Sequence, residues 1–307
     1  MPVPTLPRPL LSLALCALLS FADVAQARGV AEQLLSELAS QAFSVRPEKQ
    51  EKAYKPREVP ASAAQALYSA GQRAPGFASC TGLFPGGNPV VERVFDARYL
   101  PVGLCSDSFA VLHSSLSKTP LVVVERLSRA QIRDAKGEER TDAFYADPRL
   151  PKTGRAELSD YRETATDGGR KDRGHLAPAG NAPTPGAMAQ SFALSNMVPQ
   201  DPTHNRKIWN KLESDVRKYV ERASGNVFVY SGPLFEGTPA TIGKGRVWVP
   251  THLFKLVYDE GRQRAWAYVI ENRGDVSVTR PLDYAAFVQR TRLPLLGAAP
   301  VTGSIAP

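Results

Sequence analysis

Six short apolar runs punctuate the chain between residues 109 and 270: Phe109-Ala-Val-Leu-His113, Leu121-Val-Val-Val-Glu125, Val227-Phe-Val-Tyr230, Val247-Trp-Val249, Leu253-Phe-Lys-Leu-Val-Tyr258 and Ala265-Trp-Ala-Tyr-Val-Ile270. Bounded by Gly and Pro, they have the length of strands rather than helices. Several are continuous rather than alternating, which predicts a sheet covered on both faces. One helix is clear. It starts at Asp201-Pro202, a capping acceptor followed by proline in the first turn, and runs to Ala223 before Ser224-Gly225. Other long helices are few, so the expected class is α+β with a central, mostly antiparallel sheet. With 43% apolar and 22% charged residues among 307, the composition is that of an ordinary globular protein.

The flanks read differently. Arg8 precedes the apolar run Pro9-Leu-Leu-Ser-Leu-Ala-Leu-Cys-Ala-Leu-Leu-Ser-Phe21, and Ala25-Gln-Ala27 has the small-x-small form of a signal-peptidase site. A transmembrane helix needs roughly 20 apolar residues, more than this run offers before Asp23. The expectation is a signal peptide over 1–27, cleaved after Ala27, and a periplasmic or secreted protein without a membrane partner. Residues 28–75, with a short amphipathic helix over 31–39 and a Lys-, Glu- and Pro-rich stretch, read as an N-terminal extension or linker. The globular domain is placed at 76–295 and a C-terminal tail at 296–307. Cleavage leaves two of the three cysteines, Cys80 and Cys105. An even count in an exported chain suggests one disulfide, worth about 3 kcal/mol for a loop of about 25 residues, with two separate buried thiols as the alternative.

A net charge of +8 favours polyanionic partners, of which phosphate backbones are the commonest. Charge alone does not decide between binding and mere solubility. The densest group of chemically useful residues does more: Lys171-Asp-Arg-Gly-His-Leu-Ala-Pro178, Ser195-Asn-Met-Val-Pro-Gln200, and Asn205-Arg-Lys-Ile-Trp-Asn-Lys-Leu-Glu213. Phosphodiester hydrolysis requires a base for the attacking water, a cation to neutralise phosphate charge, and donors that hold the scissile group in line. His175 suits the base, because imidazole is largely neutral near pH 7. Arg173 shares its side of an extended segment and has a fork suited to phosphate oxygens. Gly174 between them permits close approach of a ligand to the backbone. Asn205, Trp209 and Glu213, four residues apart, fall roughly along one helix face, where a neutral oxygen and a carboxylate suit Mg²⁺. Each residue also has a plainer role: His175 as a structural hydrogen bonder, Trp209 as core, and Glu213 as the i,i+4 partner of Arg217, while His204 reads as a local cap or surface residue, with support of the neighbouring Asn205 as the alternative.

Together these segments resemble the DNA/RNA non-specific endonucleases of the ββα-metal fold. The resemblance centres on Asp172-Arg-Gly-His-Leu-Ala-Pro178, continues through Ser195-Asn-Met-Val-Pro-Gln200, and closes with Asn205, Trp209 and Leu212-Glu213. Weaker similarity extends from about Cys80 to about Val257. The resemblance implies an exported endonuclease that cuts DNA and RNA and leaves 5′-phosphates. It makes His175 the general base and Asn205 the one direct protein ligand of Mg²⁺, for which Mn²⁺ can substitute. Glu213 then organises metal-bound water, Arg173 and Arg140 grip phosphate, Asn196 supports the site, and Asp172 holds local structure. Two departures stand out. Arg170-Lys171 replace the usual Gly and aromatic before the Asp, after a longer loop over 164–169, and the C-terminal stretch from Tyr284 lacks the family's usual Glu and Thr-Gly.

Two competing readings remain at this stage. A catalytically silent protein of the same fold would coat nucleic acid or another polyanion. A zinc hydrolase would need three or four His, Cys or carboxylate ligands, and the four histidines, at 113, 175, 204 and 252, form no His-x-x-x-His pair. Oligomeric state, a dimer included, and any inhibitor protein are left unassigned by the sequence.

Overall fold

The computed structural model describes residues 59–162, 169–278 and 280–302, all within the unit Pro56–Pro307. The expected signal peptide, the amphipathic helix over 31–39 and nearly all of the 164–169 loop lie outside the described residues. Strands β1 (Pro101–Cys105), β2 (Phe109–Ser114), β3 (Thr119–Leu127), β6 (Val227–Leu234), β9 (His252–Asp259), β10 (Arg264–Glu271) and β11 (Leu282–Asp283) form one sheet in the order β1-β2-β3-β6-β9-β10-β11. Every pairing in it is antiparallel. Two small hairpins stand apart: β4 (Asp172–His175) with β5 (Met197–Gln200), and β7 (Thr241–Ile242) with β8 (Val247–Trp248).

The continuous apolar runs have the predicted cause. Along β9, Leu253 and Val257 enter one core layer while Phe254, Leu256 and Tyr258 enter the other. Because side chains alternate across a strand, a run with both faces covered must be apolar at both phases. The helices that cover the faces are mostly short: α1 (Ala61–Ala66), α2 (Ala70–Arg73), α3 (Val91–Val94), α4 (Arg129–Ala135), α5 (Pro185–Ser191), α6 (Asn210–Val220) and α7 (Tyr284–Thr291). Helix α6 packs Leu212, Val216, Tyr219 and Val220 into the first layer, and α7 packs Phe287 into the second. Among the described residues no helix is long and apolar enough to cross a membrane.

The Cys80–Cys105 disulfide is formed, with a Cα–Cα distance of 5.7 Å. It ties the loop before β1 to the end of that strand. Packing begins before residue 76, where the sequence reading placed the domain start. Ala64 and Tyr68 are 1% and 2% exposed, and the Tyr68 hydroxyl lies 2.7 Å from that of Tyr145. The expected tail from 296 also starts inside packed structure, since Leu296 is buried and the Tyr258 hydroxyl donates to the Pro300 carbonyl.

Candidate active site

His175 ends β4, whose register with β5 sets His175 opposite Met197. A short link then holds the backbone that follows. Leu176 N–H donates to the Asn196 carbonyl, and Ala177 N–H donates to Asn196 Oδ1 at 2.9 Å. Asn196 Nδ2 donates to the carbonyls of Ala177 and Ser191, each at 2.9 Å. Asn196 was expected to support the site. It is fully buried, and its polar atoms are spent on backbone, which makes it a positioning residue rather than a group that meets substrate. Its neighbour Ser195 donates to Asp147, itself clamped by the buried Arg149.

The imidazole sits in an aromatic slot. Phe192 meets it edge-on at 5.0 Å and Phe144 lies 5.7 Å away. Leu194 N–H donates to the Tyr145 carbonyl and Tyr145 N–H to the Phe192 carbonyl, a backbone bridge beside which Phe144 and Phe192 meet each other edge-on at 4.9 Å, so that the three rings form one cluster. The Arg173 guanidinium lies 4.0 Å from the Phe144 centroid and that of Arg140 lies 5.0 Å from the Phe192 centroid. Arg140 also pairs with Asp142. His175 is 9% exposed, and its Nε2 is buried without a hydrogen-bond partner among the described residues. Burial, then the fields of Arg140 and Arg173, push its pKa down to about 3. The ring is therefore neutral and able to accept a proton, and a phosphate held by the two arginines would offset their fields and raise its basicity.

Gly174 serves packing rather than ligand approach, which corrects the sequence reading. A Cβ there would meet the Gln200 side chain, whose Cβ would be 2.8 Å away. Trp209 is buried, as its core role required, and its indole N–H donates to the His175 carbonyl at 3.3 Å. His204 is neither a cap nor a surface residue. It is buried, stacked on Trp209 at 5.9 Å and bonded to Gln200, while Asp201 Oδ1 caps the helix by accepting from the Thr203 and His204 N–H groups.

The helix that carries Asn205 is not regular. Its first stretch, His204–Trp209, is a π turn that leads into α6. In a regular α-helix, eight residues would rotate Glu213 about 80° away from Asn205. The wider π turn takes up part of that rotation and brings the two closer to one line. Asn205 Nδ2 donates to Asp172 Oδ2 at 3.0 Å, and Arg206 grips both oxygens of the same carboxylate. Asp172 thereby fixes the amide with Oδ1 as the oxygen left to act as a ligand. Glu213 Oε1 is buried without a hydrogen-bond partner among the described residues, and no ion pair joins it to Arg217. Burial raises its pKa, against the pull of Lys255, Arg217 and Arg140. One amide oxygen and one unpartnered carboxylate oxygen fit a hydrated Mg²⁺, which takes few protein oxygens directly. Among the described residues no three His, Cys, Asp or Glu side chains gather as metal ligands.

Four groups at the site were not singled out by the sequence: Phe144 and Phe192, which hold the imidazole and both arginines, and the buried Glu125 and Lys255 beneath Trp209. A charged residue inside each apolar run was the available signal for the last two.

Comparisons with known proteins find similarity to nucleases. Over 197 residues the chain is 34% identical to human mitochondrial nuclease EXOG, covering 60% of this chain and 48% of that protein. It is 35% identical over 202 residues to human mitochondrial endonuclease G, with 62% and 64% covered. It is 34% identical over 194 residues to nuclease C1 of Cunninghamella echinulata, with 60% or so of this chain (59%) and 71% of that protein covered. The chain thus spans about half the length of EXOG. A solved EndoG/EndoGI complex shares the fold, with a TM-score of 0.59 at 23% identity over 73% of this chain and 97% of that one. The model of the DNA/RNA non-specific endonucleases matches residues 87–286, well over half of the chain, and the chain belongs to that family.

Proposed function

We propose that this protein is an exported, Mg²⁺-dependent endonuclease that hydrolyses DNA and RNA with little sequence preference and leaves 5′-phosphate ends. The observation that supports the reading is the neutral His175 ring, packed against Phe144 and Phe192, of which the first also carries the Arg173 guanidinium and the second that of Arg140. Arg140 and Arg173 bind and orient a phosphate. His175 takes the proton of the attacking water. Asn205 Oδ1 would hold the cation, and Glu213 would accept hydrogen bonds from its water shell. When bound, the ion supplies positive charge against the developing phosphate and leaving-oxygen charge. Backbone-directed contacts from a protein of net charge +8 favour binding without base readout. Export is supported by the leader-like first 27 residues and agrees with the Cys80–Cys105 disulfide.

The test is digestion of plasmid, single-stranded DNA and RNA by the chain from Arg28, first with Mg²⁺ and then with EDTA. All three should be cut with Mg²⁺ and none with EDTA, and His175→Ala should abolish cutting while leaving DNA affinity within a few-fold. DNA binding without cutting would instead establish the silent binding protein. N-terminal sequencing of the protein recovered outside the cytoplasm should begin at Arg28, and an intact leader there overturns the export reading.

A further inference from the structure

At the end of α6 that lies away from Asn205, the chain gathers positive charge around a cavity that the roles above do not use. The cavity, of about 350 Å³, is lined by Tyr219, Arg222, Arg262 and Arg264. Tyr219 comes from the last turn of α6 and Arg222 from just beyond it, while Arg262 lies in the turn between β9 and β10 and Arg264 starts β10. One side of the cavity is fixed by hydrogen bonds. The Tyr219 hydroxyl donates to Asp259 Oδ2 at 2.6 Å, and Arg262 Nη1 donates to the same carboxylate oxygen and to the Tyr219 oxygen, each at 3.2 Å. Arg262 N–H adds a bond to Asp259 Oδ1 at 3.1 Å, and the Tyr219 ring meets Trp266 edge-on at 4.8 Å. Asp259 is fully buried, so its charge is spent on Arg262.

Among the described residues Arg222 and Arg264 form no ion pair. The acids beside them in sequence are engaged elsewhere: Glu221 pairs with Lys136, and Glu260 accepts from Asn226. The carbonyl of Ala223, just past the helix end, is taken by Arg129. Three guanidiniums against one carboxylate leave two positive charges in excess around one concavity. Like charges held together repel, and low-dielectric walls focus their field into the cavity, so an anion is the ligand it favours. Guanidinium forks offer paired N–H donors that match phosphate oxygens.

We propose that the cavity of Arg222, Arg262 and Arg264 is a phosphate-binding site that holds a backbone phosphodiester of the nucleic-acid substrate away from the hydrolytic site. This rests on the reading of the protein as a nuclease of DNA and RNA, and gives it a second grip on the chain. Tyr219 and Glu213 are six residues apart on α6, roughly 9 Å along its axis. Phosphates of one strand recur about every 3.4 Å along a duplex, so a single bound strand presents several over that rise. Such a grip reads no base.

The test measures binding of the full chain, in EDTA, to a duplex of about 30 base pairs, roughly 100 Å long. Arg222→Ala/Arg264→Ala removes two guanidiniums and leaves Arg262 to neutralise Asp259. The slope of log K against log salt should fall by about 0.9, the value for one phosphate contact, and Kd at fixed salt should rise about tenfold. Arg93→Ala/Arg98→Ala is the charge-matched control, at exposed positions beside the second core layer, and should keep the wild-type slope. An unchanged slope in the cavity variant overturns the proposal, as does an equal fall in both variants, which would reflect net charge alone. Inorganic phosphate separates the sources: free phosphate binding that the cavity variant loses, with the duplex slope unchanged, makes this a small-anion site and overturns the backbone role. In wild type, the Arg222 and Arg264 Nε–H resonances should shift when duplex is added, and their constancy overturns the proposal without any variant. If wild type neither binds this duplex nor cuts it with Mg²⁺, the nuclease reading fails instead.

Discussion

Asn196→Ala removes three hydrogen bonds in one substitution, those to the Ala177 N–H, the Ala177 carbonyl and the Ser191 carbonyl. Asn196 is 0% exposed, so water cannot replace them at the intact site. Each bond contributes about 1 kcal/mol net, and a buried N–H left without an acceptor costs roughly 1–3 kcal/mol. The expected loss is therefore about 3–5 kcal/mol. For a domain of this size, 1 kcal/mol shifts Tm by roughly 2–4 °C, which gives a fall of about 10 °C. The functional effect follows from position, because the freed segment starts at Ala177, two residues after His175. In a plasmid-relaxation assay at 20 °C, below unfolding, kcat should fall at least tenfold. Asn196→Asp keeps an acceptor for Ala177 N–H but sets a carboxylate against two carbonyls, and should be at least as unstable. A Tm within 2 °C of wild type, with unchanged kcat, would refute the reasoning outright.

Two other perturbations test the frame around the site. Replacing Cys80 and Cys105 with serine opens a loop of 25 residues, which the chain-entropy model values at about 3 kcal/mol; Tm should drop by roughly 10 °C, while the activity of folded protein at 20 °C stays within twofold, and a loss of activity without loss of stability would contradict a purely structural bridge. Acid should also destabilise the fold through buried neutral histidines. Burial lowers His113 to about 4 against an ordinary value near 6.5, so the unfolded chain binds the extra proton and stability falls as pH drops through that window. Glu125, raised by burial, runs the other way, so the informative quantity is a difference. Urea midpoints for wild type and His113→Gln between pH 6 and 4.5 should diverge by about 1.4 kcal/mol per pH unit, with wild type the steeper; parallel curves would mean that His113 is already charged in the folded state.

The sheet was legible because a two-sided burial requirement writes itself into sequence as strand-length apolar runs, and five of the six runs are strands of that sheet, the sixth forming β8 apart from it. The cap at Asp201 was equally readable, since Asp-Pro fixes both an acceptor and the first helical φ. The hairpin of β4 and β5 was not. Asp172-Arg-Gly-His175 has no apolar period, and its pairing with Met197–Gln200 depends on tertiary support from Asn196 and Gln200. The π turn was equally silent, because the spacing of Asn205, Trp209 and Glu213 reads alike for a straight helix and a locally widened one.

The same distinction explains why the site divides as it does. Groups proposed to act on substrate or cation carry their chemistry in their own residue type, and His175, Arg173, Asn205 and Glu213 could be singled out for that reason. Groups that tune them are recognisable only by what surrounds them. Phe144 and Phe192 are ordinary core aromatics until an imidazole packs against both and a guanidinium lies over each. Lys255 and Glu125 are merely interruptions of apolar strands until the helix above them proves to carry Trp209 and Glu213. An ion inside a covered strand bears a burial cost that sequence alone can register. What that cost maintains depends on the layer above, and here that layer carries Trp209, whose indole holds the His175 carbonyl.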